Sequence, residues 1–222
     1  MSKNTPKKTN MGKAWIKPRR DARQMIAPEY HLIVTEGTDT EPLYFQRIKE
    51  IIDARYRNRI HLDISGKGDN TLNLFLRAQK DVAHSSNIYK HVWLVYDKDD
   101  FPPEHFDRTA NLCDSATTEE THYHAVWSNQ CIELWFLLHF MFLQSDLDRS
   151  EYWPKLTDCL KGIRKGKYYK HRPDMFDALR PLMEDAIRNA KRLDEFNMGK
   201  TPSKSAPGTK VYLLIETLRP YL

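Results

Sequence analysis

The sequence predicts an α/β protein with a mostly parallel, four-stranded sheet that is flanked by helices. Strand-like and helix-like segments alternate in the order β-α-β-α-β-α-β up to residue 127 of the 222, which is typical of parallel sheets covered on both faces. The third strand-like segment, VWLVY at residues 92–96, is a continuous apolar run, as expected of a strand that is buried on both faces. Because 40% of the residues are hydrophobic, the chain has enough apolar side chains for a core.

The remaining elements follow from periodicity and from turn and cap residues. Strands are predicted at residues 30–36, 60–65, 92–96 and 123–127, and helices between them at 43–56, 72–82 and 107–112. Pro42 is well placed to open the first helix, and Asn70 or Thr71 to cap the second. A very apolar helix is expected at 130–143 with Asn129 as its N-cap, followed by helices at 152–160, 175–196 and 211–218.

Three segments are expected along the chain. Residues 1–27 should form a basic, flexible N-terminal arm, residues 28–147 the α/β domain, and residues 148–222 a helical elaboration that completes the site. We expect a cytoplasmic protein without a membrane contact, because no secretory signal is visible and no apolar run approaches the roughly 20 residues of a membrane span. The three cysteines are far apart and form no CxxC pair, so neither a disulfide framework nor a zinc–cysteine site is indicated.

Basic residues concentrate in two segments that are candidates for binding nucleic-acid phosphates. Residues 1–23 carry eight Lys and Arg against one Asp, although the net charge of the whole chain is only +5. Residues 161–172 (KGIRKGKYYKHR) combine cations with tyrosines that suit base stacking. The proposed contacts are Lys13, Lys17, Arg19, Arg20, Lys165 and Lys167. The alternative for both segments is a solvated surface that binds nothing.

Acidic residues follow two of the predicted strands. Glu36 closes the first strand, and Asp97 and Asp99 close the third. Since the carboxyl ends of parallel strands lie at the same end of a sheet, these carboxylates should meet in space. Clustered carboxylates repel one another, and a hard cation such as Mg²⁺ or Mn²⁺ removes that repulsion. The alternative is an acidic surface turn after a buried strand.

Two further glutamates have unusual surroundings. Glu41 lies in the loop EGTDTE, where it either reaches a second cation or only favours the first turn of a helix through the helix dipole. Glu133 precedes the apolar run LWFLLHF, where an isolated carboxylate is rarely buried. It therefore either binds a cation or lies at the solvent edge of the helix. His139 in that run is expected to be a core histidine.

Three sequence blocks together resemble the RloB family of prokaryotic proteins. They are LIVTEGTDTEPLYF at residues 32–45, VWLVYDKDDF at 92–101 and SNQCIELWFLLHF at 128–140, and the segment SAPGTKVYLLIETL also resembles that family. The resemblance covers about residues 28–218. It implies a Toprim domain, the Rossmann-like catalytic fold that is shared by topoisomerases, bacterial primases and OLD-family nucleases.

The resemblance also implies roles for individual residues. Glu36 matches the Toprim glutamate, and Asp97 and Asp99 match its D-x-D pair. Glu41 and Glu133 match carboxylates that help to hold a second metal in OLD-type nucleases. Lys170 is the first choice for a lysine that assists the transition state in those enzymes, and Lys210 is the second choice.

The function implied by the resemblance is metal-dependent cleavage of nucleic-acid phosphodiester bonds by an effector of anti-phage defence (abortive infection). Host RNA such as tRNA is one implied substrate, and a neighbouring gene often encodes a partner ATPase. The alternative is a non-catalytic Toprim module that binds nucleotide or nucleic acid and works through that ATPase. A small RNA-maturation nuclease is the enzymatic rival. A topoisomerase or primase is disfavoured because the chain is short and lacks zinc-ribbon cysteines.

Overall fold

A five-stranded, mostly parallel sheet forms the centre of the protein in a computed structural model that describes residues 27–66, 71–98 and 102–222. The strands are β1 (Glu29–Thr35), β2 (Ile60–Gly66), β3 (Tyr89–Asp97), β4 (His122–Asn129) and β5 (Gly208–Thr209), in the spatial order β2-β1-β3-β4-β5. The first four pair in parallel, and β5 pairs antiparallel with β4. The predicted α/β class is therefore confirmed.

The prediction of four strands was wrong by one. The missed strand β5 has only two residues, and it lies in a Pro- and Ser-rich segment that reads as a loop. Its partners are Ser128 and Asn129, about eighty positions earlier in the chain. No local periodicity signals so short a strand, because its pairing depends wholly on a long-range contact.

Eight helices surround the sheet within the described part of the chain. They are α1 (Thr40–Tyr56), α2 (Thr71–His84), α3 (Pro103–Ala116), α4 (Glu133–Leu138), α5 (Arg149–Gly162), α6 (Met175–Leu179), α7 (Met183–Phe196) and α8 (Val211–Leu218). The last of these has the bounds that the sequence predicted. None of the described helices combines the length and apolar character that crossing a membrane requires.

Two helix predictions need correction. The expected helix at 130–143 is shorter in the structure, where only α4 (Glu133–Leu138) is helical. Asn129 is the last residue of strand β4 and not the N-cap of this helix. Its side-chain amide donates to the carbonyls of Pro202 and Ser203 at 3.2 Å. The expected helix at 175–196 is divided into α6 and α7 by a 3₁₀ turn at Arg180–Leu182. Pro181 accounts for the break, since proline lacks the backbone N–H of a helix interior and its ring clashes with the preceding turn.

The two faces of the sheet carry separate apolar clusters. The larger cluster joins Ile33, Trp93 and Val126 to side chains of α1, α4, α5, α7 and α8. The smaller cluster joins the alternate strand residues, such as Leu32 and Leu94, to α2 and α3. The five apolar residues of α4, Leu134 to Leu138, are all buried in the first cluster, which explains why this segment is so apolar.

We expect Gly208→Ala to lower the free energy of unfolding by about 1–3 kcal/mol, the usual cost of forcing an extra carbon into a packed site. A Cβ atom at Gly208 would lie 2.5 Å from the carbonyl oxygen of Ser205, and backbone cannot move aside cheaply. Gly162→Ala is the matched control, because nothing lies within 4 Å of its Cβ position. Urea unfolding measures both variants, and equal stability would contradict the tight packing of β5.

Candidate functional site

The ends of strands β1 and β3 place two carboxylates side by side. The Glu36 N–H donates to the carbonyl of Val95 at 2.9 Å, which extends the β1–β3 ladder by one residue. Asp97 is the last residue of β3, and its own N–H donates to Oε2 of Glu36 at 3.1 Å. The structure thus brings Glu36 and Asp97 together at the carboxyl end of the sheet.

The start of helix α4 packs against the same point. The Ile132 N–H donates to Oδ2 of Asp97 at 3.2 Å, and the next residue, Glu133, is only 4% exposed. The Tyr168 hydroxyl donates to Oε1 of Glu133 at 2.8 Å. Glu133 is therefore a buried carboxylate with a hydrogen-bond donor from the C-terminal part of the chain, not a residue at the solvent edge.

The loop after β1 brings in a further carboxylate. Glu41, in the first turn of α1, is 7% exposed. Its carboxylate lies against the backbone of Gly37, so closely that a Cβ atom at Gly37 would clash with it. The glycine next to Glu36 thus leaves the space that the Glu41 carboxylate occupies.

One cavity of about 840 Å³ joins these groups. Its lining includes the carboxylate residues Glu36, Glu41, Asp97 and Glu133 together with Lys170. Arg149, Ser150 and Trp153 from helix α5 also line it. Residues from distant parts of the sequence therefore face a single open space at the carboxyl end of the sheet.

Lys170 reaches the cavity through a segment that docks on α1. The Thr40 hydroxyl donates to the carbonyl of Lys170 at 3.0 Å, and the Lys170 Nζ lies 5.5 Å from the centre of the Trp153 ring. The second-choice lysine, Lys210, is not part of this site. Its Nζ donates to Asp194 at 2.6 Å, and it lines a different cavity.

Two neutral groups next to the carboxylates have raised pKa values. Burial, reinforced by the Glu133 charge and hydrogen bond, raises the pKa of the Tyr168 hydroxyl far above its usual value. Burial, reinforced by the charges of Glu133 and Asp97, likewise raises the pKa of the Cys131 thiol. Both groups are therefore protonated at neutral pH, and Tyr168 acts as a hydrogen-bond donor.

The basic candidates have different positions. Lys165 and Lys167 are exposed on the segment that follows α5, and neither lines the cavity. Arg172 in the same basic segment is buried, forms a bidentate ion pair with Asp174 and donates to the Lys167 carbonyl at 3.0 Å, so it is not part of an exposed phosphate-binding surface. Lys13, Lys17, Arg19, Arg20 and Asp99 lie outside the described residues.

Sequence reasoning missed Trp153 and Arg149 and did not assign Tyr168 its role. Trp153 is 42% exposed on α5 and supports Lys170 at the cavity wall. No spacing rule indicates these residues, because helix α5 reaches the site by packing against α4, which is a tertiary contact. His139 is buried and its Nδ1 donates to the Trp135 carbonyl at 3.0 Å, so the prediction of a core histidine is confirmed.

The fold and the site define an α/β protein whose parallel sheet carries a cavity lined by buried carboxylates at its carboxyl end. The family model described as RloB-like protein matches residues 31–218, and the chain therefore belongs to the RloB-like family. No curated protein and no solved structure matches the chain.

We expect Tyr168→Phe to lower the free energy of unfolding by about 1–3 kcal/mol, because a buried carboxylate oxygen loses its hydrogen-bond donor. Tyr169→Phe is the matched control, since Tyr169 is 53% exposed and its substitution should change stability by less than about 0.5 kcal/mol. Urea unfolding at neutral pH measures the difference. Equal stability of the two variants would show that the Tyr168–Glu133 contact contributes nothing.

Proposed function

We propose that this protein is a metal-dependent Toprim nuclease that cleaves nucleic-acid phosphodiester bonds. The observation that carries the proposal is the single cavity in which Glu36, Glu41, Asp97 and Glu133 converge with Lys170. The resemblance to the RloB family supports it, because the four carboxylates match metal-binding positions of Toprim nucleases and Lys170 is the first choice for their transition-state lysine.

The donor groups fit Mg²⁺ or Mn²⁺. Carboxylate oxygens are the ligands that these hard cations prefer, and the nearby Cys131 thiol is held protonated. Glu41, Asp97 and Glu133 are each no more than 9% exposed, and a bound cation would offset the repulsion between carboxylates that are buried so close together. Glu36 and Asp97, with Asp99 from the same D-x-D motif, would hold one cation, and Glu41 and Glu133 would hold or position a second. A bound cation would polarise the phosphate and lower the pKa of the attacking water.

Basic and aromatic residues would bind and orient the substrate. Lys170 would neutralise negative charge that develops on the phosphate oxygens. Trp153 offers a partly exposed ring on which a base can stack beside that phosphate. Lys165, Lys167 and the basic residues Lys13, Lys17, Arg19 and Arg20 would bind the phosphate backbone on either side of the cleavage point.

The biological context of this activity is part of the proposal. By the family resemblance, the nuclease acts as an effector of anti-phage defence, with RNA such as tRNA as a substrate and an ATPase from a neighbouring gene as a partner.

A second candidate function is a non-catalytic module that binds a nucleotide and signals through the partner ATPase. The observation that favours it is the size of the cavity, about 840 Å³, which lies within the range of small-molecule and cofactor sites. Trp153 beside Lys170 would then bind one base and one phosphate instead of a polynucleotide.

The nuclease proposal predicts that Asp97→Asn and Glu36→Gln lower cleavage by at least about 100-fold, the upper range for loss of groups around a metal. Cleavage of plasmid DNA and of total tRNA is followed with Mg²⁺ or Mn²⁺, with a chelator as the blank. Asp158→Asn is the control, because the Asp158 side chain is 79% exposed on α5.

Equal cleavage by wild-type protein and Asp97→Asn would remove the catalytic claim. Nucleotide binding without cleavage of either substrate, even with the partner ATPase present, would support the second function.

Gly37→Ala is expected to raise the Mg²⁺ concentration needed for half-maximal cleavage by about 10-fold, because the added methyl group displaces the Glu41 carboxylate. Gly162→Ala, at an open position, controls for the general effect of replacing a glycine. Cleavage is measured across a Mg²⁺ titration. An unchanged titration curve would show that Glu41 takes no part in metal binding.

A further inference from the structure

Histidine side chains cluster on one face of the sheet at its amino end, opposite to the acidic cavity. His31 on β1 pairs with His91 on β3, and His91 pairs with His122 on β4. Trp93 and His124, two residues further along β3 and β4, pair with each other on the same face. Glu29, two residues before His31, also lies on this face.

Three of these residues point their ligand atoms at one another. Oε1 of Glu29 lies 2.8 Å from Nε2 of His31 and 3.6 Å from Nε2 of His91. The ligand atoms of all three residues lie within 4.8 Å of one another. This spacing is close to that around a single metal ion, whose bonds to nitrogen and oxygen are about 2.0–2.2 Å long.

We propose that Glu29, His31 and His91 form a binding site for one transition-metal ion of the Zn²⁺ class. Two imidazole nitrogens and one carboxylate select such ions over Mg²⁺ and Ca²⁺, which prefer oxygen ligands alone. The site is separate from the acidic cavity. Glu29 and Glu36 lie at opposite ends of β1, roughly 23 Å apart at about 3.3 Å for each residue of a strand.

Neighbouring groups orient two of the ligands. The Lys90 Nζ lies 2.8 Å from Oε2 of Glu29 and so leaves Oε1 to face the histidines. Nδ1 of His91 lies 2.9 Å from Nε2 of His124, the type of contact that fixes the tautomer of a metal-bound histidine.

The hydrogen bond from Trp93 to His31, the third ligand, reports whether metal is bound. Its indole N–H donates to Nδ1 of His31 at 3.2 Å, so without metal the neutral His31 ring carries its proton on Nε2, facing Glu29. Binding of metal at Nε2 requires that proton to be on Nδ1 or to be lost. If it moves to Nδ1, two N–H groups face each other and the Trp93 hydrogen bond breaks. The Trp93 indole therefore changes its environment when metal binds.

An ion can reach the site from solvent. His31 is fully buried, whereas the side chains of His91 and Glu29 are 18% and 32% exposed. A water molecule on the exposed side would complete a four-coordinate shell. This arrangement matches the three protein ligands and one open position of many non-structural zinc sites.

The test is a Zn²⁺ titration of the full-length protein against a chromophoric chelator, with excess Mg²⁺ to occupy oxygen-only sites. We expect wild-type protein to bind one Zn²⁺ at this site, and Glu29→Gln and His91→Asn to weaken that binding by at least about 10-fold. His31 is left unchanged because it is fully buried. Zn²⁺ should also raise the melting temperature of wild-type protein but not of Glu29→Gln.

His61→Asn is the matched control. His61 lies at the same end of the sheet, on β2, but its ring stacks on Tyr30 on the opposite face, with 5.0 Å between ring centres. The His61→Asn variant should bind Zn²⁺ with the same affinity as wild-type protein. Failure of the nuclease proposal would not affect this result, because Glu29, His31 and His91 are not among the residues that line the acidic cavity.

Three outcomes would overturn the proposal. The first is no Zn²⁺ binding by wild-type protein, and the second is equal affinity in Glu29→Gln. The third is an unchanged nuclear magnetic resonance signal of the Trp93 indole N–H at saturating Zn²⁺, since His31 would then not be a ligand. Any of these results would leave the cluster as a hydrogen-bond network that joins three strands.

Discussion

The hydrogen bond from the backbone of Asp97 to the side chain of Glu36 is the contact on which the candidate site depends. It joins the ends of two adjacent parallel strands, at 3.1 Å, and so holds their carboxylates at one point. Residues 92–97 of β3 are all buried, so the carboxyl end of this strand is fixed to the core. The Ile132 N–H then adds the start of α4 to the same point. The cavity is built outward from this junction.

The C-terminal part of the chain closes the site through two polar contacts. Tyr168 donates to Glu133, and Thr40 donates to the backbone of Lys170. The first contact offsets part of the cost of burying a carboxylate. The second holds Lys170 at the cavity that the acids line. Tyr168 and Lys170 are only two residues apart. The same short segment therefore supplies the hydrogen bond to Glu133 and the positive charge of Lys170.

The two ends of the sheet have different chemistry for a simple reason. All four long strands run in the same direction, so residues that follow the strands gather at one end and residues that begin them gather at the other. The chain has acids at or directly after the ends of β1 and β3 and histidines near the starts of β1, β3 and β4. Oxygen ligands therefore collect at the carboxyl end, and nitrogen ligands at the amino end.

The sequence by itself determined the α/β alternation, helix α8 and the location of Glu36 and Asp97 at strand ends, because apolar periodicity and strand ends are local signals. Tertiary structure decided what local patterns do not contain. It paired β5 with β4, gave Glu133 its partner Tyr168, and placed Lys170 in the cavity while Lys210 paired with Asp194. Each of these outcomes is a contact between side chains or strands that are far apart in sequence. Their meeting depends on how α5 packs on α4 and on how α7 and α8 pack on the sheet.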